Sequence, residues 1–165
     1  DKAIKIATEH AIKSRLEIDY KCISTGELLK SNKKKFVNSF DIVIASEVIE
    51  HVNNRNIFLS DISNLCRPGG LVIFTTINKS LMGTFLAKFL AEDIMKILPH
   101  DTHDPEKFIS PEQLTLEAEK YNIVLDSFTG FLPTFGAQDI SKKQFGDFIL
   151  MPNLGVNYGA AGIKL

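Results

Sequence analysis

The fold turns on Phe40–Val52, "FDIVIASEVIEHV". Its first six residues, Phe40 to Ala45, are nearly all apolar, the composition of a short strand buried on both faces of a parallel sheet. Ser46, Glu47, Glu50 and His51 follow at once. In an open α/β sheet, ligands bind outside the carboxyl ends of the strands, so these four residues face the crevice where a site belongs. If the chain turned directly into helix, Glu47, Glu50 and His51 would share one face while Val48 and Val52 pointed to the core.

Working outward, Ile57, Phe58, Ile62 and Leu65 recur at helical spacing and predict a helix over about 53–66. Arg67-Pro-Gly-Gly70 ends it, because glycine stops a helix and proline cannot continue one. Leu71–Ile77, "LVIFTTI", is rich in β-branched residues and reads as a second buried strand. Strand, helix, turn and strand form a βαβ unit, which makes the sheet largely parallel. Upstream, residues 2–14 have helical spacing, Leu16–Cys22 alternates as a strand does, and Lys30–Ser39 reads as a polar loop. Downstream, Ser80–Leu98 is a long helix candidate, and Ser110 is placed to cap a helix opened by Pro111. Ile123–Gly130 and Val156–Ile163 read as two more strands, with irregular chain between them. The fold class is α/β.

The chain has 165 residues, enough for a single domain with its own core. Its 19 basic and 20 acidic side chains nearly cancel, which removes the electrostatic footprint of a general nucleic-acid binder. Lys33-Lys-Lys35 reads as a solvated loop. Nothing is apolar over enough residues to cross a bilayer. Cys22 and Cys66 lie in apolar surroundings and read as reduced, packed thiols. The chain opens in helical spacing with no initiator Met, signal peptide or transit segment, and reads as cut inside a domain.

Two carboxylates and an imidazole on one face can hold a divalent cation, water and substrate oxygens completing its shell. The same residues also suit a solvated helix start, where acids favour the positive end of the macrodipole. His51 has a third reading, as a base that takes a proton from a hydroxyl nucleophile.

"FDIVIASEVIEHV", "CRPGGLVIFTTINKS", "LAEDIMKILPHDTHDPEKFISPEQL" and the late "VNY" together resemble the ubiquinone-biosynthesis O-methyltransferases. The most specific piece is "TTIN" combined with AExIxxxxPxxTHDxxKFIxPxxL. The resemblance implies a Rossmann-like class I methyltransferase sheet, mostly parallel with an antiparallel last strand, here without its first two strands. It further implies S-adenosylmethionine as methyl donor and a catechol-type substrate with a polyprenyl tail. Glu47, Glu50 and His51 fall on the family's metal triad, with Mg²⁺ the expected ion. Ser46 falls where the strand end touches the donor, and His103 and Asp104 match the "THD" beside the substrate crevice. Two further expectations are peripheral attachment to a membrane surface and association with other ubiquinone-biosynthesis proteins. Attachment would use the apolar face of Leu81–Leu98, including Phe85 and Phe89. The location implied is the matrix side of the mitochondrial inner membrane, or alternatively the bacterial cytoplasm at its membrane.

The chain departs from the family in three places. The glycine-rich donor loop and the acid that binds the donor's ribose belong to the strands expected upstream. Gly130–Gly136 stands where the family shows Tyr-Asn-Pro, and His100-Asp101 stands where it shows Lys-Gly.

Overall fold

A computed structural model describes residues 2–80, 105–133 and 147–165. The helix expected at 80–98 and the pair His103 and Asp104 lie outside these described residues, Ser80 excepted.

The elements in chain order begin with α1 (Lys2–Lys13), α2 (Thr25–Ser31), α3 (Lys33–Phe36), β1 (Phe40–Ser46) and α4 (Arg55–Leu65). They continue with β2 (Cys66–Ile77), a 3₁₀ turn at Pro105–Lys107, α5 (Pro111–Glu119), β3 (Ile123–Pro133), β4 (Phe148–Met151) and β5 (Asn157–Lys164). The sheet order is β1-β2-β5-β3-β4. β1 and β2 are parallel, and the last strand slots antiparallel between β2 and β3. β4 runs antiparallel along the far side of β3.

Local chemistry explains most boundaries. Asn54 accepts from the Ile57 amide to start α4, and Ser110 accepts from the Gln113 amide to start α5 behind Pro111. The Pro-Gly-Gly stretch does leave the ladder: Phe40 pairs with Cys66, but Ile42 already pairs with Leu71. Gly69 turns there at φ +72°, and a Cβ on Gly70 would come within 2.6 Å of Cys66 Sγ.

The core lies between one sheet face and the helices α4 and α5. Phe58, Leu59 and Ile62 of α4 and Leu114 and Ala118 of α5 pack on Val72, Phe74, Leu125 and Ala160. Arg55 clamps the two helices together, with Nε 2.9 Å and Nη2 3.2 Å from the two oxygens of Glu117. Gln113 donates to that carboxylate as well, at 2.8 Å.

Six sequence expectations need correction: Lys33–Lys35, read as loop, lies in α3 behind the Asn32 cap, and Cys22, read as a packed thiol, is exposed. Residues 16–22 form no strand, because among the described residues none lies on the free side of β1 to ladder with them. β1 is buried on one face only, with Ile42 53% and Ile44 62% exposed, since no described helix covers that side. Residues 25–31, within and just before the expected loop, form α2 through a capping box between Ser24 and Glu27. The irregular stretch after β3 contains β4, which folds back antiparallel on β3, the strand just before it in the chain.

Candidate active site

β1 ends at Ser46, and the ladder runs one residue further: the Glu47 amide donates to the Thr75 carbonyl at 2.9 Å. Glu47 then takes φ +51°, a left-handed backbone that a residue with a Cβ adopts at some cost. That turn prevents helix from starting. Residues 47–51 form a bend and turn, closed by the His51 amide on the Val48 carbonyl at 2.9 Å, and helix waits until Arg55. The shared i, i+3, i+4 face expected of Glu47, Glu50 and His51 is therefore not formed. Ile49, at 1% exposure, is the residue that plugs the core, while Val48 faces solvent.

The turn draws the two carboxylates together. Glu50 is 2% exposed, and its Oε2 accepts from the Thr76 hydroxyl at 2.9 Å. Its Oε1, also buried, has no hydrogen-bond partner among the described residues, which is costly for a polar atom. The Glu47 carboxyl faces both Glu50 and Thr75. Burial, and then the Glu50 charge beside it, push the Glu47 carboxyl from its ordinary 4.5 up to about 7. Ser46 Oγ lies 2.9 Å from Thr75 Oγ1.

His51 is exposed on the same turn, yet among the described residues no three His, Cys, Asp or Glu side chains lie close enough to share a metal ion. The geometry thus unites Glu47, Glu50 and Ser46 and leaves His51 outside their cluster. The residues that sequence reasoning passed over are Thr75 and Thr76. A signal was present: in a parallel pair, two adjacent hydroxyls at the end of "LVIFTTI" fall in register with the end of "FDIVIAS", and Ser46 does pair with Thr75.

The far rim is stitched by backbone-directed bonds. Tyr158, wholly buried, donates from its hydroxyl to the Ile109 carbonyl at 3.1 Å, and burial pushes its phenol pKa up. The Asn78 side chain donates to the Leu154 carbonyl at 2.8 Å, and the Asn78 amide to the Val156 carbonyl at 2.7 Å. These bonds fix the exit of β2 beside the approach to β5.

An α/β sheet with its last strand inserted antiparallel, and a polar cluster at the carboxyl ends of its parallel pair, is the architecture of the S-adenosylmethionine-dependent methyltransferases. Solved structures share it: a methyltransferase of that class from Methanosarcina mazei superimposes with a TM-score of 0.62 at 15% identity, over 100% of this chain and 78% of that one. One from Aquifex aeolicus gives 0.57 at 12% identity, over 98% and 63%. Residues 6–127 match the sequence family described as a methyltransferase domain, and the chain belongs to that family. Among its relatives, the ubiquinone biosynthesis O-methyltransferase of Pelagibacter ubique (strain HTCC1062) is 38% identical over 163 residues, 99% of this chain and 62% of that protein. That of Rhizobium etli (strain CIAT 652) is 33% identical over 153 residues, 92% and 60%. The chain thus spans roughly three-fifths of the length of these relatives.

Proposed function

We propose that the protein transfers a methyl group from S-adenosylmethionine to a hydroxyl of a polyprenylated catechol in ubiquinone biosynthesis. The observation that carries this is the Glu47–Glu50 pair at the end of β1, in a chain 33–38% identical to relatives of that name. Methyl transfer from a sulfonium is an in-line displacement, so the enzyme must align the attacking oxygen and favour its anionic form. Ser46, exposed at the strand end, would touch the donor. The pair supplies negative charge and, in Glu50 Oε1, one buried oxygen without a partner among the described residues.

Two carboxylates with an unpartnered oxygen fit a hard divalent cation such as Mg²⁺. When bound there, such an ion lowers the pKa of a catechol hydroxyl and orients both ring oxygens. Glu47 and Glu50 would hold it. His51, outside their cluster, fits better as the group that takes the catechol proton than as a third ligand. His103 and Asp104 complete the proposed substrate side.

The apolar residues of Leu81–Leu98 suit a segment that collects a lipid-tailed substrate at a membrane surface. Association with other enzymes of the pathway, and residence at the mitochondrial inner membrane or its bacterial counterpart, belong to the same reading.

The test is methyl transfer from labelled S-adenosylmethionine to prenylated and unprenylated catechols, with and without chelator. Preference for the prenylated acceptor, activity abolished by chelator, and loss of turnover in Glu47→Ala and Glu50→Ala support the reading. Full turnover in both variants and in chelator ends it.

A further inference from the structure

Thr76 is wholly buried, and its hydroxyl reaches Glu50 Oε2 at 2.9 Å. A valine would serve strand β2 and its packing equally well, so the ladder does not explain a hydroxyl in that position. What explains it is Glu50. A carboxylate at 2% exposure needs a donor, and one donor on one oxygen also fixes the plane of the group. The other oxygen, Oε1, is left as its single unsatisfied acceptor. Thr75, one residue earlier, faces Glu47 and shares a hydrogen bond with Ser46 at 2.9 Å. Both threonines sit on β2, and the Ser46–Thr75 pairing of the parallel ladder sets where their hydroxyls fall relative to the turn.

We propose that Thr76 is a positioning residue for methyl transfer: its hydroxyl holds Glu50 so that Oε1 is presented to whatever the site binds. The proposal rests on the reading of Glu47 and Glu50 as the working carboxylates. It adds that the strand next to theirs sets the geometry of Glu50.

The experiment is steady-state kinetics of the intact enzyme with S-adenosylmethionine and a short-chain prenylated catechol. Thr76→Val is expected to lower kcat by roughly 10- to 100-fold, the loss expected for one hydrogen bond to a charged group, with KM for the donor unchanged. Thr76→Ser, which restores the hydroxyl, is expected to remain within about threefold of wild type. Glu50→Gln is expected to be slow, and adding Thr76→Val to it should change nothing further, because the threonine acts through that carboxylate.

Wild-type kcat in Thr76→Val, with Glu50→Gln slow, overturns the proposal and leaves the site reading standing. Equal losses from Thr76→Val with and without Glu50→Gln, or no rescue by serine, overturn it too. Full turnover in Glu50→Gln strikes instead at the site reading itself.

Discussion

Replacing Glu50 by Gln should make the protein more stable and less active, and the gain in stability should depend on pH. Glu47 has its folded pKa raised from 4.5 to about 7, first by burial and then by the charge on Glu50. A raised carboxyl binds a proton more tightly folded than unfolded. Its contribution to stability is therefore complete below pH 4.5 and is lost as pH climbs to about 7. A rise of that size corresponds to roughly 3 kcal/mol unscreened. Glu47 as a residue is exposed, so water screens the repulsion, and about 1 kcal/mol is expected to return when the Glu50 charge is removed. For a chain of 165 residues that is about 2–4 °C in Tm. The assay is thermal unfolding of wild type and Glu50→Gln in chelator at pH 5 and pH 8.5, conditions that bracket the Glu47 titration. The variant should melt higher at the alkaline pH and level with wild type at the acid one. A variant that melts lower at pH 8.5, or gains equally at both, would refute the like-charge account of the pair.

Other perturbations probe the frame around the site. Glu117→Gln removes half of the forked pair with Arg55, whose side chains are 28% and 16% exposed, and should cost about 2 kcal/mol in urea unfolding at neutral pH. Burial alone would raise the Glu117 carboxyl, but Arg55 and Gln113 outweigh it and hold it below 4.5. Its contribution therefore fades as pH falls below that value, and wild type and variant should converge in acid. Gly162→Ala puts a Cβ 1.9 Å from the Val124 carbonyl oxygen, where β3 bulges, and should cost about 3 kcal/mol or prevent folding. Gly159→Ala, three residues earlier with 3.8 Å of room, should fold with a Tm near that of wild type. Tyr158→Phe strips the Ile109 carbonyl of a buried partner and should cost about 1–2 kcal/mol by the same measurement.

Much of this molecule could be read directly from its residues, and the failures share a cause. Caps and turns are local chemistry, so Ser110 before Pro111 and the Pro-Gly-Gly departure were legible, and the Ser24–Glu27 box could have been. The strand expected at Leu16–Cys22 had the right alternation, but alternation describes a side-chain pattern, and a strand also needs a neighbour to bond. β4 gave the opposite error, since four apolar residues are too short a run to show a period, although Gly146-Asp147 and Pro152-Asn153 bracket them with turn residues. At the site, spacing pointed to Glu47 and Glu50 but supposed a helix to join them. The left-handed backbone at Glu47 joins them instead, and nothing in a residue's name announces it. Thr75 and Thr76 escaped because their roles depend on register, a relation between two strands.

The uncovered sheet face has a practical side. Ile42, Leu71, Ile163 and Val124 lie side by side across four strands, with Ile44 and Ile73 in the next row. Ile42, Ile44, Ile163 and Val124 all count among the exposed large hydrophobics. Contiguous oily surface of this kind draws chains together in concentrated solution and takes up amphiphiles and fluorescent hydrophobic dyes. A sample of these 165 residues handled alone should light such dyes while still folded, so dye-based melting curves would start from a high baseline. Calorimetry or circular dichroism is the sounder choice for every stability measurement described above.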